Sequence, residues 1–105
     1  KGLLTDRKII FYEEWAFIAD LSEMLKDNKT LGKMLTVMEK QEDLMKTLRI
    51  YINSSLNSNE AADRLNIHRN TLNYRLDRIA KLTGKNPKNI MELLELILML
   101  VYRSQ

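Results

Sequence analysis

One segment restricts the fold more than any other. Residues 58–76, SNEAADRLNIHRNTLNYRL, place a small residue, a turn and helical anchors at fixed intervals. Two helices that cross closely over a short turn need a small residue at the crossing, and Ala62 supplies it. They need an apolar plug after the turn, which Ile67 provides, and apolar anchors on the second helix that face the first. Leu72, Leu76 and Ile79 stand at i, i+4 and i+7, the spacing of one helical face. Leu65 closes the same core from the first helix. This order is the pattern of a helix-turn-helix, extending over about residues 58–82. Asn66 stands where glycine is common in such turns, and asparagine tolerates the left-handed conformation better than most residues.

The rest of the chain also reads as helix. The strongest strand-like run is residues 8–12, where Ile9, Ile10, Phe11 and Tyr12 cluster. It reads either as a strand belonging to a preceding domain or as the start of the first helix. Residues 13–26 carry Trp15, Phe17, Ile18, Leu21, Met24 and Leu25 at amphipathic spacing. After a polar break at 27–30, with Asn28 or Thr30 as cap, a short helix carries Leu31, Met34, Leu35 and Met38. From Gln41 the pattern repeats with Leu44, Met45, Leu48, Tyr51 and Ile52, and stops at Asn53-Ser54-Ser55. The motif's first helix is expected at Ser58–Leu65 with Asn57 or Asn59 as N-cap, and Asn57 with Glu60 offers a capping box. The turn is Asn66-Ile67-His68, and the second helix runs over 69–82 to a Gly84 C-cap. After a loop holding Pro87, Asn89 and Glu92 offer another capping box for a last helix ending near Arg103. The expected fold is all-α, a helical bundle containing a helix-turn-helix preceded by one or two amphipathic helices. The expected division is residues 1–40, a helical segment or linker from a preceding domain, and 41–105, the helix-turn-helix domain.

Charge narrows the partner. The net charge of the 105 residues is +3. Residues 1–55 hold nine basic and nine acidic residues; residues 56–89 hold seven basic and three acidic. The excess therefore coincides with the motif, as expected for a polyanion partner or, on the plainer reading, for a solvated basic surface. There is no cysteine and one histidine, so disulfides, thiolate metal sites and cysteine nucleophiles are excluded. No glycine-rich phosphate loop or spaced metal cluster occurs, the acidic residues are scattered at helix-surface spacing, and an enzyme and a bound cofactor are not expected. The start at Lys1-Gly2 suggests a piece of a longer protein, and charged residues interrupt the early apolar run, so no signal peptide is expected.

The polar face of the second helix carries the candidate chemistry. Such a helix presents its N-terminal residues to base edges in the major groove. His68, Arg69, Asn70, Asn73 and Tyr74 are the first exposed positions. Arginine suits guanine O6 and N7, and asparagine suits adenine N6 and N7. Thr71 and Tyr74 reach phosphates, as do the backbone amides at the helix start. Arg64, Arg75, Arg78 and Lys81 offer charge to the backbone. The competing reading is a helical hairpin in which Arg78 pairs with Asp77 and the Arg75 stem lies on the core. Asp77 opposes phosphate contact along the whole face, which confines base reading to the first two turns.

The string NIHRNTLNYRLDRIAKLTG, residues 66–84, resembles the signature of the PucR/CdaR family of bacterial regulators. The match runs through Ile67, His68, Arg69, Asn70, Thr71, Leu72, Tyr74, Arg75, Leu76, Arg78, Ile79, Leu82, Thr83 and Gly84. It is strong over about residues 44–102 and weaker over 9–38. The core is also similar to the DNA-binding helices of Fis and of NtrC-type activators. The resemblance implies a cytoplasmic one-component regulator, in which a region outside this chain senses a small-molecule effector and this piece binds double-stranded DNA. Carried over, the Fis-like contacts put His68 and Arg69 at bases and Thr71 near phosphate. Asn73 stands where the family often has arginine, and Ser58 where it is often apolar.

The last helix raises the question of a second chain. Residues 90–102 contain only Glu92 and Glu95 as charged residues. That is too short for a membrane span, which needs about 20 residues, and no membrane partner is expected. The helix is either buried under the motif or shared with a second chain; a homodimer formed through it or through the Trp15 helix is expected, since two-fold dimers commonly carry such motifs to paired half-sites. A helical interaction or dimerisation module without DNA binding is the rival function. RNA binding is disfavoured by the scarcity of aromatics for stacking bases.

Overall fold

A computed structural model describes residues 2–4, 9–11 and 15–103, with side chains from residue 19 to 103. In chain order the elements are β1 (Gly2–Leu4), β2 (Ile9–Phe11), α1 (Trp15–Leu25), α2 (Lys29–Glu39), α3 (Glu42–Asn53), α4 (Ser58–Leu65), α5 (Arg69–Thr83) and α6 (Ile90–Arg103). The architecture is helical, as expected, with one short hairpin ahead of the helices. β1 and β2 pair antiparallel, with Gly2 opposite Phe11 and Leu4 opposite Ile9. The β-branched and aromatic run is thus a strand paired within this chain. Lys8 and Tyr12, at its ends, lie outside the described residues, as do the side chains of Trp15, Phe17 and Ile18.

Asparagines start α2, α4 and α6. Asn28 Oδ1 accepts the Leu31 N–H at 2.9 Å, and Asn57 Oδ1 accepts that of Glu60 at 2.9 Å. Asn89 Oδ1 accepts the N–H groups of Met91 and Glu92, both at 3.1 Å. The side-chain arm of each expected capping box goes elsewhere. The N–H groups of Asn57 and Asn89 are already donated to the carbonyls of Ser54 and Asn86, each at 3.0 Å. The carboxylates find other donors: Glu60 pairs with Arg64 at 2.7 Å, and Glu92 accepts the Asn86 N–H at 2.6 Å.

Left-handed residues end α3, α4 and α5. Ser55 (φ 54°) and Asn66 (φ 56°) close α3 and α4 in the same way. In α4 the N–H groups of Asn66 and Ile67 reach back to the carbonyls of Asp63 and Ala62 at 3.1 and 3.0 Å, a paired motif that satisfies the orphan carbonyls. Gly84 (φ 76°) ends α5 with one bond to the Ala80 carbonyl at 2.8 Å.

The core joins α2, α3, α5 and α6. Leu31, Met34, Leu35 and Met38 of α2 are buried with Leu44, Met45, Leu48 and Tyr51 of α3. Leu72, Leu76 and Ile79 of α5 and Leu93, Leu96, Met99 and Leu100 of α6 belong to the same buried cluster. The division expected after residue 40 falls in the turn after α2, yet α2 lies in the same core as the motif. Gly32 permits its approach to α6: a Cβ there would sit 3.1 Å from the Tyr102 hydroxyl. α1 lies at the margin, with Leu21 and Leu25 against the core. Met24, expected on that stripe, is 80% exposed; among the described residues α1 packs chiefly on α6 and β2.

Candidate nucleic-acid interface

The motif is held from beneath. Leu72, Leu76 and Ile79 are essentially inaccessible, and burial of each contributes about 1.5–3 kcal/mol. Ala62 is buried at the α4–α5 crossing, as expected, and Ala61 beside it is fully buried as well. Ile67 and Leu65 pack partly buried against the same core. With its apolar stripe fixed downward, α5 turns its N-terminal residues to solvent.

His68 is the N-cap of α5, and its Nδ1 accepts the Asn70 N–H at 2.9 Å. That bond needs the Nδ1 lone pair, so in the neutral ring the proton sits on Nε2, which is left as an outward donor. Arg69, Asn70 and Thr71 follow, all exposed, and Tyr74 is 63% exposed one turn on. The first turn of α5 contains no acidic residue. Apart from the Asn70 N–H, which His68 caps, the helix-start N–H groups and their partial positive charge thus stand in a turn that holds no carboxylate of its own.

The remaining candidates are arranged less uniformly. Asn73 is half-buried and accepts a hydrogen bond from Lys88 Nζ at 3.2 Å. Arg64 is exposed on α4 in its pair with Glu60. Arg75 is half-buried and turned toward α3, where it donates to Thr47 Oγ1 at 3.2 Å. Arg78 is half-buried and Lys81 exposed. Lys81 lies twelve residues beyond Arg69, about 18 Å along the helix. The structure thus groups His68, Arg69, Asn70, Thr71, Asn73 and Tyr74 at one end of α5 and sets Lys81 near the other.

Sequence reasoning missed Lys88 and Thr47. Lys88 comes from the loop after α5, and periodicity along a helix carries no information about a loop that folds back beside it. Thr47 had a signal, since it lies on the face of α3 that carries Leu44, Leu48 and Tyr51, and it is fully buried there. Among the described residues no cluster of His, Asp or Glu is placed to hold a metal ion, and no helix is long and apolar enough to cross a membrane. A shallow cleft of about 720 Å³, lined by α2 and Tyr102, contains no residue of α4 or α5.

A short helix, a left-handed turn, and a second helix crossing it over buried alanines with its first turn exposed together define a helix-turn-helix domain. Residues 44–101, more than half of the chain, match the family model described as the PucR C-terminal helix-turn-helix domain, and the chain belongs to that family. Three relatives come from Bacillus subtilis (strain 168). The chain is 36% identical to the purine catabolism regulatory protein over 59% of its own length and 12% of that protein's. It is 35% identical to the proline-responsive transcriptional activator PutR over 73% of its length and 19% of PutR's. It is 44% identical to the DNA-binding transcriptional activator AdeR over 48% of its length and 12% of AdeR's. The matched stretches therefore span less than a fifth of each relative. No solved structure matches the chain.

Proposed function

We propose that this chain is the sequence-specific DNA-binding domain of a bacterial one-component transcription regulator, with α5 in the major groove. The observation that carries the reading is the exposed, carboxylate-free first turn of α5, where Arg69 and Asn70 stand beside the His68 cap. His68, Arg69 and Asn70 address base edges, with Asn73 and Tyr74 one turn behind. Thr71 and the helix amides address phosphate, and Arg64, Arg78 and Lys81 add backbone charge. Arg75 sits at the rim and chiefly holds α5 on α3 through Thr47. Two of the three relatives are named as transcriptional activators and the third as a regulatory protein, which supports the assignment. Residues 41–105 form the binding unit, with α2 completing its core, and residues 1–40 lead to a region that senses a small-molecule effector. The working compartment is the cytoplasm, where the DNA is.

The proposal includes a homodimer. α6 buries one side, but Ile90, Met91 and Leu94 remain 69%, 66% and 46% exposed on another. An exposed apolar stripe of this kind suits a two-fold contact that sets two α5 helices about one turn of DNA apart. Sedimentation of a monomer at high concentration, with undiminished affinity for a single half-site, rejects the dimer. Footprinting the full-length protein on its own upstream region, with and without candidate effectors, tests the function. Protection in two half-sites is expected. Uniform cleavage at saturating protein rejects sequence-specific binding and leaves the exposed stripe as a protein-interaction surface.

A further inference from the structure

We propose that Lys88 is a specificity-determining residue: it holds the Asn73 side chain so that its amide meets a base edge chiefly as a donor and selects guanine over adenine. The proposal rests on the reading of α5 as the groove-entering helix. Asn73 follows Arg69 by four residues and so shares its face of α5. An asparagine reads adenine with both ends of its amide, Oδ1 accepting from N6 and Nδ2 donating to N7. Here Oδ1 already faces the Lys88 ammonium at 3.2 Å. With the ammonium on one lone pair of Oδ1 and its charge beside the other, the amide meets a base chiefly through Nδ2–H. Guanine N7 and O6 accept from that amide N–H, whereas the adenine N6 amino group would meet a donor with a donor.

The loop that delivers Lys88 is fixed. Pro87 is buried. The Lys88 N–H donates to Asn86 Oδ1 at 2.9 Å, the Asn89 N–H to the Asn86 carbonyl at 3.0 Å, and the Asn86 N–H to Glu92 Oε1 at 2.6 Å. The other lysine of the loop, Lys85, pairs with Glu95 on α6 at 3.0 Å. Lys88 instead extends across to α5. Its role is to position Asn73 as well as to add charge, and base preference separates the two.

The test uses the full-length protein and duplexes selected from a randomised library. The position read by Asn73 is the one whose preference disappears in Asn73→Ala. At that position the parent should favour guanine over adenine by about fivefold or more. Lys88→Met should abolish or reverse that ratio, and in an Asn73→Ala background it should change no base ratio. If Lys88→Met weakens all sequences equally and keeps the guanine preference, Lys88 supplies backbone charge alone and the proposal is overturned. A parent preference for adenine there also overturns it. Failure of the parent to bind any duplex overturns both this proposal and the functional reading beneath it.

Discussion

The contact between Arg75 and Thr47 decides whether a basic residue of α5 serves the DNA or the fold. Thr47 is fully buried; its hydroxyl donates to the Asp43 carbonyl at 2.7 Å and accepts from Arg75 at 3.2 Å. Thr47→Val keeps the shape and removes the acceptor. A hydrogen bond to a charged group contributes about 1.5–3 kcal/mol when buried. Arg75 is half-exposed, so water replaces part of the lost contact. A coupling of about 1 kcal/mol is therefore expected between Thr47→Val and Arg75→Met in a double-mutant cycle, measured by urea denaturation. For a domain near 100 residues that equals a shift in Tm of about 4–8 °C. The salt dependence of DNA binding gives a second readout. Arg75→Met should leave its slope unchanged, whereas loss of a phosphate contact lowers it by about one. Coupling below about 0.3 kcal/mol, or a slope lowered by one, refutes the positioning role.

Three further outcomes follow from single residues. Arg69→Ala should cost about 1–3 kcal/mol at the cognate site while leaving thermal stability nearly unchanged, as read by anisotropy titration and thermal melting. Asn66 holds φ 56° at the C-terminus of α4, so Asn66→Ala should destabilise by about 1 kcal/mol and Asn66→Gly should be near neutral in denaturant titrations. Burial raises Tyr51 above its ordinary value of 10.0, so the folded state keeps the phenol proton longer than the unfolded chain. Stability should then fall as pH rises above about 10, and Tyr51→Phe should flatten that alkaline loss in melts across the range.

Much of the fold was legible because its signals are local. The asparagines at 28, 57 and 89 and the left-handed Asn66 and Gly84 mark helix ends by their own backbone chemistry, and the helices begin and end beside them. The 72, 76, 79 stripe is buried because one helical face admits little else. What stayed hidden depends on competition between partners. Glu60 and Glu92 had the spacing of capping boxes, but the cap N–H groups were already engaged by the preceding turns. The partner of Ile9–Phe11 is a three-residue strand too short to announce itself. Arg75 has the same composition signal as Arg69, and only the packing of α3 against α5 turns it away from the exposed face. Lys88 joins that face through a loop, which no helical period encodes.

The central claim, that α5 and the charges around it bind duplex DNA, is tested most directly by measuring affinity for a duplex as salt is raised. With about five phosphates contacted, log K should fall against log salt with a slope near −4.5, for specific and non-specific duplexes alike. A slope close to zero, with affinity equal at low and high salt, contradicts the claim.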